Sequence, residues 1–144
     1  VDPENKRDVI RVPTEELLAR FVAAPDPAAA AAAIATMELH RAENLPGRAR
    51  AVEAYWEDAA HALRGVPGVA DVRTLGLIAG IELQPRPGKP TDRATRVFQR
   101  CFEAGVLIRT TGDIVALSPP LIVERPHIDR IFGVLGEAIG AEPA

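Results

Sequence analysis

The sequence predicts an α+β domain in which helices pack on one face of a mainly antiparallel sheet. Two kinds of periodicity point there. Apolar residues recur at spacings of three and four in the segments near 48–64, 92–104 and 126–139, and at every second position in 68–73 and 75–83. The resulting order of helices, two strands, helix, two strands and helix favours a layer of helices over a sheet. A chain of 144 residues suits one core.

Residues 1–13 carry two prolines and little periodicity, and they read as a tail or connector. Thr14 is placed to cap a short helix, with Glu15 and Glu16 at its positive end and Leu17, Leu18 and Phe21 on its apolar side, ending before Pro25. Asp26-Pro27 is a helix start, and the six alanines from Ala28 to Ala33 make a strong helix that runs to about Leu39 and breaks at Asn44-Leu45-Pro46-Gly47. From Arg48, the positions Ala49, Val52, Trp56, Ala59, Ala60 and Leu63 form one apolar stripe.

After Gly65 the period falls to two. Leu77, Ala79, Ile81 and Leu83 are expected to share one strand face, with Gly80 marking a place where a side chain would obstruct a closely packed neighbour. The loop Pro85 to Pro90 leads to a helix from near Thr91, whose stripe is Ala94, Val97, Phe98, Cys101 and Ala104 and which Gly105 stops. Val106 to Arg109 and Ile114 to Leu117 read as strands flanking the turn Thr110-Thr111-Gly112-Asp113, and Pro119-Pro120 ends the sheet. The last helix aligns Ile128, Ile131, Phe132, Leu135 and Ile139.

Several function classes lose support at this level. No apolar run approaches the roughly 20 residues of a membrane span. The start Val1 to Asp8 is polar without the apolar core of a signal peptide, so a cytoplasmic location is the expectation. The net charge is −3 and the arginines are dispersed among Asp and Glu, which gives no footprint for nucleic acid. The single cysteine, Cys101, lies on an apolar stripe and reads as a core residue. His40, His61 and His127 stand far apart on polar helix positions without a second ligand at i+3 or i+4, so no metal site is expected. A phosphate-binding loop, a dinucleotide fingerprint, a nucleophile elbow and paired cysteines are all absent. By residue chemistry alone, Arg109 is either a planar donor fork for a carboxylate or an exposed arginine at a strand end.

One block narrows this. In Gly105-Val-Leu-Ile-Arg109-Thr-Thr-Gly112-Asp113-Ile-Val-Ala-Leu-Ser118-Pro119-Pro120, an arginine precedes a Gly-Asp turn and a strand that runs into a double proline. Upstream stand Val72-Arg73-x-Leu-Gly76-Leu-Ile-Ala-Gly80-Ile-Glu82-Leu and the Ala-rich helix from Pro27 to Glu38. Over about residues 27–139 the chain resembles the C-terminal part of class III (ω-amino acid type) pyridoxal-phosphate aminotransferases.

That resemblance implies the small C-terminal domain of a fold-type I enzyme over 27–144, following a connector at 1–26. It implies transfer of an amino group from an ω-amino acid or amine to pyruvate or another 2-oxo acid. The expected partners are a large domain that binds pyridoxal phosphate through a Schiff-base lysine, small amino and 2-oxo acids, and a second copy in a homodimer. Arg109 would hold the substrate carboxylate, while Gly112 and Asp113 would shape the turn beside it. Lys6 and Lys89 both lie outside the family's lysine context, so the chain alone is expected to bind no cofactor, to supply no catalytic residue and to be inactive. Where the family has a Ser/Thr-Gly-His/Asn turn that reaches the partner subunit's cofactor phosphate, this sequence has Val22-Ala-Ala-Pro-Asp26. Two alternatives stay open: a non-catalytic regulatory or dimerisation module, and a split or decayed aminotransferase with its other half on a separate chain.

Overall fold

The computed structural model describes residues 27–142. The connector, its helix after Thr14, the Val22–Asp26 departure and Lys6 lie outside the described residues. The chain divides into two units, with the boundary between Glu43 and Asn44.

The first described element, α1 (Pro27–Ala42), follows from its alanines, the strongest helix formers. His40 and Arg41 occupy its last turn, where positive charge suits the helix dipole. None of its residues is buried, and Ile34, Met37 and Leu39 are exposed.

The second unit begins at α2 (Leu45–His61), three residues before the expected start. Leu45-Pro46-Gly47 does not break the chain but forms the first helical turn, because a proline there has no intrahelical N–H to lose. Asn44, in the left-handed region at φ 48, makes the break. A 3-10 turn over Ala62–Gly65 leads into β1 (Val69–Leu75), then β2 (Ile78–Leu83), α3 (Asp92–Glu103), β3 (Arg109–Thr111), β4 (Ile114–Leu117) and α4 (Arg125–Gly140).

The sheet is antiparallel throughout, in the order β1-β2-β4-β3. Both hairpins turn on two residues whose first is a glycine with positive φ, Gly76 at 56° and Gly112 at 61°. A glycine at that position lets a turn match the twist of the flanking strands. The expected second strand therefore starts later, at Ile78, with Leu75 closing β1. Similarly, Val106 to Ile108 alternate buried, exposed, buried without joining the sheet.

Leu77, Ala79, Ile81 and Leu83 are buried on one face, as the alternation predicts. The helices cover that face: α2 packs on β1 and β2, α3 on β3, and α4 against both α2 and α3. The indole of Trp56, wholly buried, meets the Phe132 ring edge-on at 4.8 Å between centroids. Such pairs contribute about 0.5–1.5 kcal/mol beyond the area they bury. Ala104 lies beyond the end of α3 and is exposed, so it leaves the stripe.

Gly80 does not have the role expected of it. A Cβ there would meet only Ile114 Cγ2 at 3.8 Å, an ordinary contact. It sits on the face away from α2, α3 and α4, in a cross-strand row Arg73–Gly80–Ala116–Arg109 that spans all four strands. No helix among the described residues is long and apolar enough to cross a membrane.

Candidate functional site

At the end of the sheet where β3 begins and β4 finishes, a cleft of about 560 Å3 opens. Its wall is largely apolar, with Trp56, Ile78, Leu107, Ala116, Pro119 and Pro120 among its residues, and Ser118 adds a hydroxyl. Arg109 is the only charged side chain among the described lining residues. It is exposed, and no ion pair engages it among the described residues. The local cause is plain: β3 is an edge strand of three residues, and Arg109 is its first, on the face opposite the one that α2, α3 and α4 cover. A guanidinium so placed offers a planar fork of donors to a carboxylate.

Arg73 is at the other edge of the same row and is engaged. Its Nη2 donates to Glu82 Oε2 at 2.9 Å, and its Nε stands 3.6 Å from Asp71 Oδ2.

The motif read from the sequence divides in space. Arg109, Ser118, Pro119 and Pro120 come together in the cleft, whereas Gly112 and Asp113 occupy the opposite end of the β3–β4 hairpin. There Asp113 makes two ties. Its carbonyl accepts the N–H of Leu83 at 2.8 Å, and its carboxylate accepts the N–H of Thr91 at 2.9 Å. Thr91 is held in the left-handed region at φ 65, which a β-branched residue rarely adopts.

Sequence reasoning missed a charged cluster around the start of α3. Arg86 donates to Asp92 Oδ2 and to Glu142 Oε2, each at 2.7 Å, and Arg100 donates to Glu142 Oε1 at 2.9 Å. Glu142 is only 4% exposed, so its carboxylate is buried with both oxygens satisfied. Burial pushes the Asp92 carboxyl up, but hydrogen bonds and charge from Arg86 and Arg96 outweigh it and hold it below the usual carboxylate value. The cluster joins residues 56 positions apart, a separation no local motif announces.

The histidines coordinate nothing among the described residues, where no group of His, Cys, Asp and Glu could hold a metal ion. His127 is more than a solvated side chain, since its Nδ1 accepts the N–H of Glu124 at 3.2 Å and caps α4. Lys89 is exposed in the loop between β2 and α3, outside the cleft lining. Among the described residues, the cleft thus has the Arg109 guanidinium as its charged group and no lysine in its lining.

Sequence comparison decides the family. The family described as aminotransferase class-III matches residues 21–139. The chain belongs to this family. Among relatives, the chain is 52% identical over 125 residues to an omega-aminotransferase of Caulobacter vibrioides, covering 87% of this chain and 28% of that protein. A solved transaminase with L-ala superposes with a TM-score of 0.75 at 29% identity, over 82% of this chain and 29% of its own. An amine transaminase from an uncultivated Pseudomonas species, solved in its PLP-bound form, gives 0.69 at 32% identity, over 78% of this chain and 27% of its own. The chain thus spans between a quarter and a third of the length of these relatives.

Proposed function

We propose that residues 27–144 form the small C-terminal domain of a pyridoxal-phosphate-dependent aminotransferase, following a connector at 1–26. The whole enzyme moves an amino group from an ω-amino acid or amine to pyruvate or another 2-oxo acid, as a cytoplasmic homodimer. Arg109 holds the substrate carboxylate, and Gly112 and Asp113 shape the hairpin that carries it. The cofactor and its lysine belong to the large domain; pyridoxal phosphate supplies the electron sink for the amino transfer when bound there. This chain contributes orientation, and by itself it is inactive.

The observation that carries the reading is the Arg109 guanidinium, without an ion pair among the described residues, in a largely apolar cleft. A cation without a counter-charge beside an apolar wall suits a ligand that brings a carboxylate and a hydrocarbon body together. Family membership and the PLP-bound relative support the cofactor assignment.

The test uses the full-length protein. Arg109→Ala and Arg109→Lys should lower kcat/KM for carboxylate-bearing donors by roughly 10- to 150-fold, the span of a charge-assisted hydrogen bond of about 1.5–3 kcal/mol. Lysine should not rescue, because a point charge does not reproduce the fork. Amines without a carboxylate should be affected much less. An equal fall for both classes would make Arg109 structural, and no fall for either would remove it from the site.

A further inference from the structure

The strand that carries Arg109 is short and lies at the sheet edge, although its hairpin partner β4 is a central strand paired along four residues with β2. β3 is three residues long, pairs only with β4, and stands at the sheet edge. Beyond β4, two further contacts hold β3 and the turn that follows it. The packing of α3 supports it directly, and Asp113 ties the hairpin tip to the N–H of Thr91 at the start of α3.

Thr91 itself is strained, and left-handed backbone of this kind persists only where the surroundings over-determine it. Here its N–H is held by Asp113 and its carbonyl accepts both the N–H and the hydroxyl of Thr95, at 2.9 and 2.8 Å. The next residue, Asp92, is gripped by Arg86 at 2.7 Å and Arg96 at 3.2 Å. Arg86 is in turn locked by the buried Glu142, which also takes Arg100 from the body of α3.

From these contacts we infer that Glu142 and Arg86 are positioning residues for Arg109. The Glu142 carboxylate, just past α4, fixes Arg86 and α3. Through Asp92 and the Thr91–Asp113 bond it holds the hairpin in the geometry that presents the Arg109 guanidinium to the cleft. The inference rests on the reading of Arg109 as the carboxylate anchor. It assigns a substrate-selective role to a cluster that lies outside the cleft lining.

The experiment is a double-mutant cycle in the full-length enzyme with Glu142→Gln, Arg109→Ala and the pair. Donors with and without a carboxylate are assayed, and the melting temperature is recorded for each variant. Glu142→Gln keeps the shape of the side chain and removes its charge. It should lower kcat/KM for carboxylate donors by roughly 2- to 30-fold, the range expected of remote residues coupled to a ligand. Amines without a carboxylate should change little, and nothing further should be lost once Arg109 is alanine.

Equal loss in both substrate classes, loss additive with Arg109→Ala, or no loss at all would each overturn the inference, even where Arg109→Ala behaves as proposed above. If Arg109→Ala itself proves indifferent to the carboxylate, both readings fall. Should Glu142→Gln not fold, Arg86→Lys takes its place under the same criteria, since one ammonium cannot bridge Asp92 and Glu142 as the guanidinium does.

Discussion

The guanidinium of Arg93 occupies the space that a Cβ on Gly68 would need. Arg93 is 2% exposed, and its Nε and Nη1 have no hydrogen-bond partner among the described residues, so the cation leans on the backbone of a left-handed glycine at φ 93. Gly68→Ala would impose a strained φ and displace a buried charge at once. Its expected cost is about 2–4 kcal/mol. Gly65→Ala is the control, since nothing lies within 4 Å of the Cβ it would add. Denaturant unfolding of the two variants measures the difference; a Gly68→Ala protein as stable as Gly65→Ala would contradict the packing.

Phe132→Ala should cost about 3–5 kcal/mol, because it opens a cavity against the wholly buried Trp56. Trp56→Phe should be milder than that. It also shortens the ring, yet it removes an indole N–H that has no partner among the described residues. The ordering of the two, read from chemical denaturation, is the prediction.

Burial pushes the Cys101 thiol up to about 11 from 9.0. A raised value means that the folded state favours the protonated thiol. The associated stability is complete below pH 9 and is lost as pH climbs toward 11. At pH 8 a thiol reagent should modify Cys101 only as fast as the protein unfolds; labelling at the rate of a free thiol in native buffer would refute its burial.

Tyr55 donates to Asp129, and this bond, then desolvation and the Asp129 charge, raise its hydroxyl above 10.0 against the opposing Arg125. The sign is again alkaline: stability is complete below pH 10 and declines as pH passes the raised value. Tyr55→Phe should flatten that decline relative to wild type in unfolding measured across the alkaline range. An unchanged slope would mean that the bond does not persist in solution.

Local chemistry made much of the fold legible. Alternation from Leu77 to Leu83 named the covered face, Pro27 and the Ala run named α1, and Gly112-Asp113 named a hairpin turn. Errors fell where one signal has two meanings. Pro46 stops a helix that comes before it and starts one that follows, and Gly80 can mark crowding or merely a small residue on an open face. Of the candidate site, Arg109 and the double proline were visible because they are neighbours in a compact motif. Arg93 beneath Gly68 and Glu142 against Arg86 were not, since each joins segments far apart in the chain and neither carries a pattern before the chain folds.

The register of the sheet also acts as a ruler. Arg73 and Arg109 share one row and one face, but three strand spacings of about 4.8 Å put their Cα atoms roughly 14 Å apart across Gly80 and Ala116. With the positive charge of Arg73 already met by Glu82 and Asp71, the row is electrically one-sided among the described residues: of its two arginines only Arg109, at the β3 edge, has no ion pair among them.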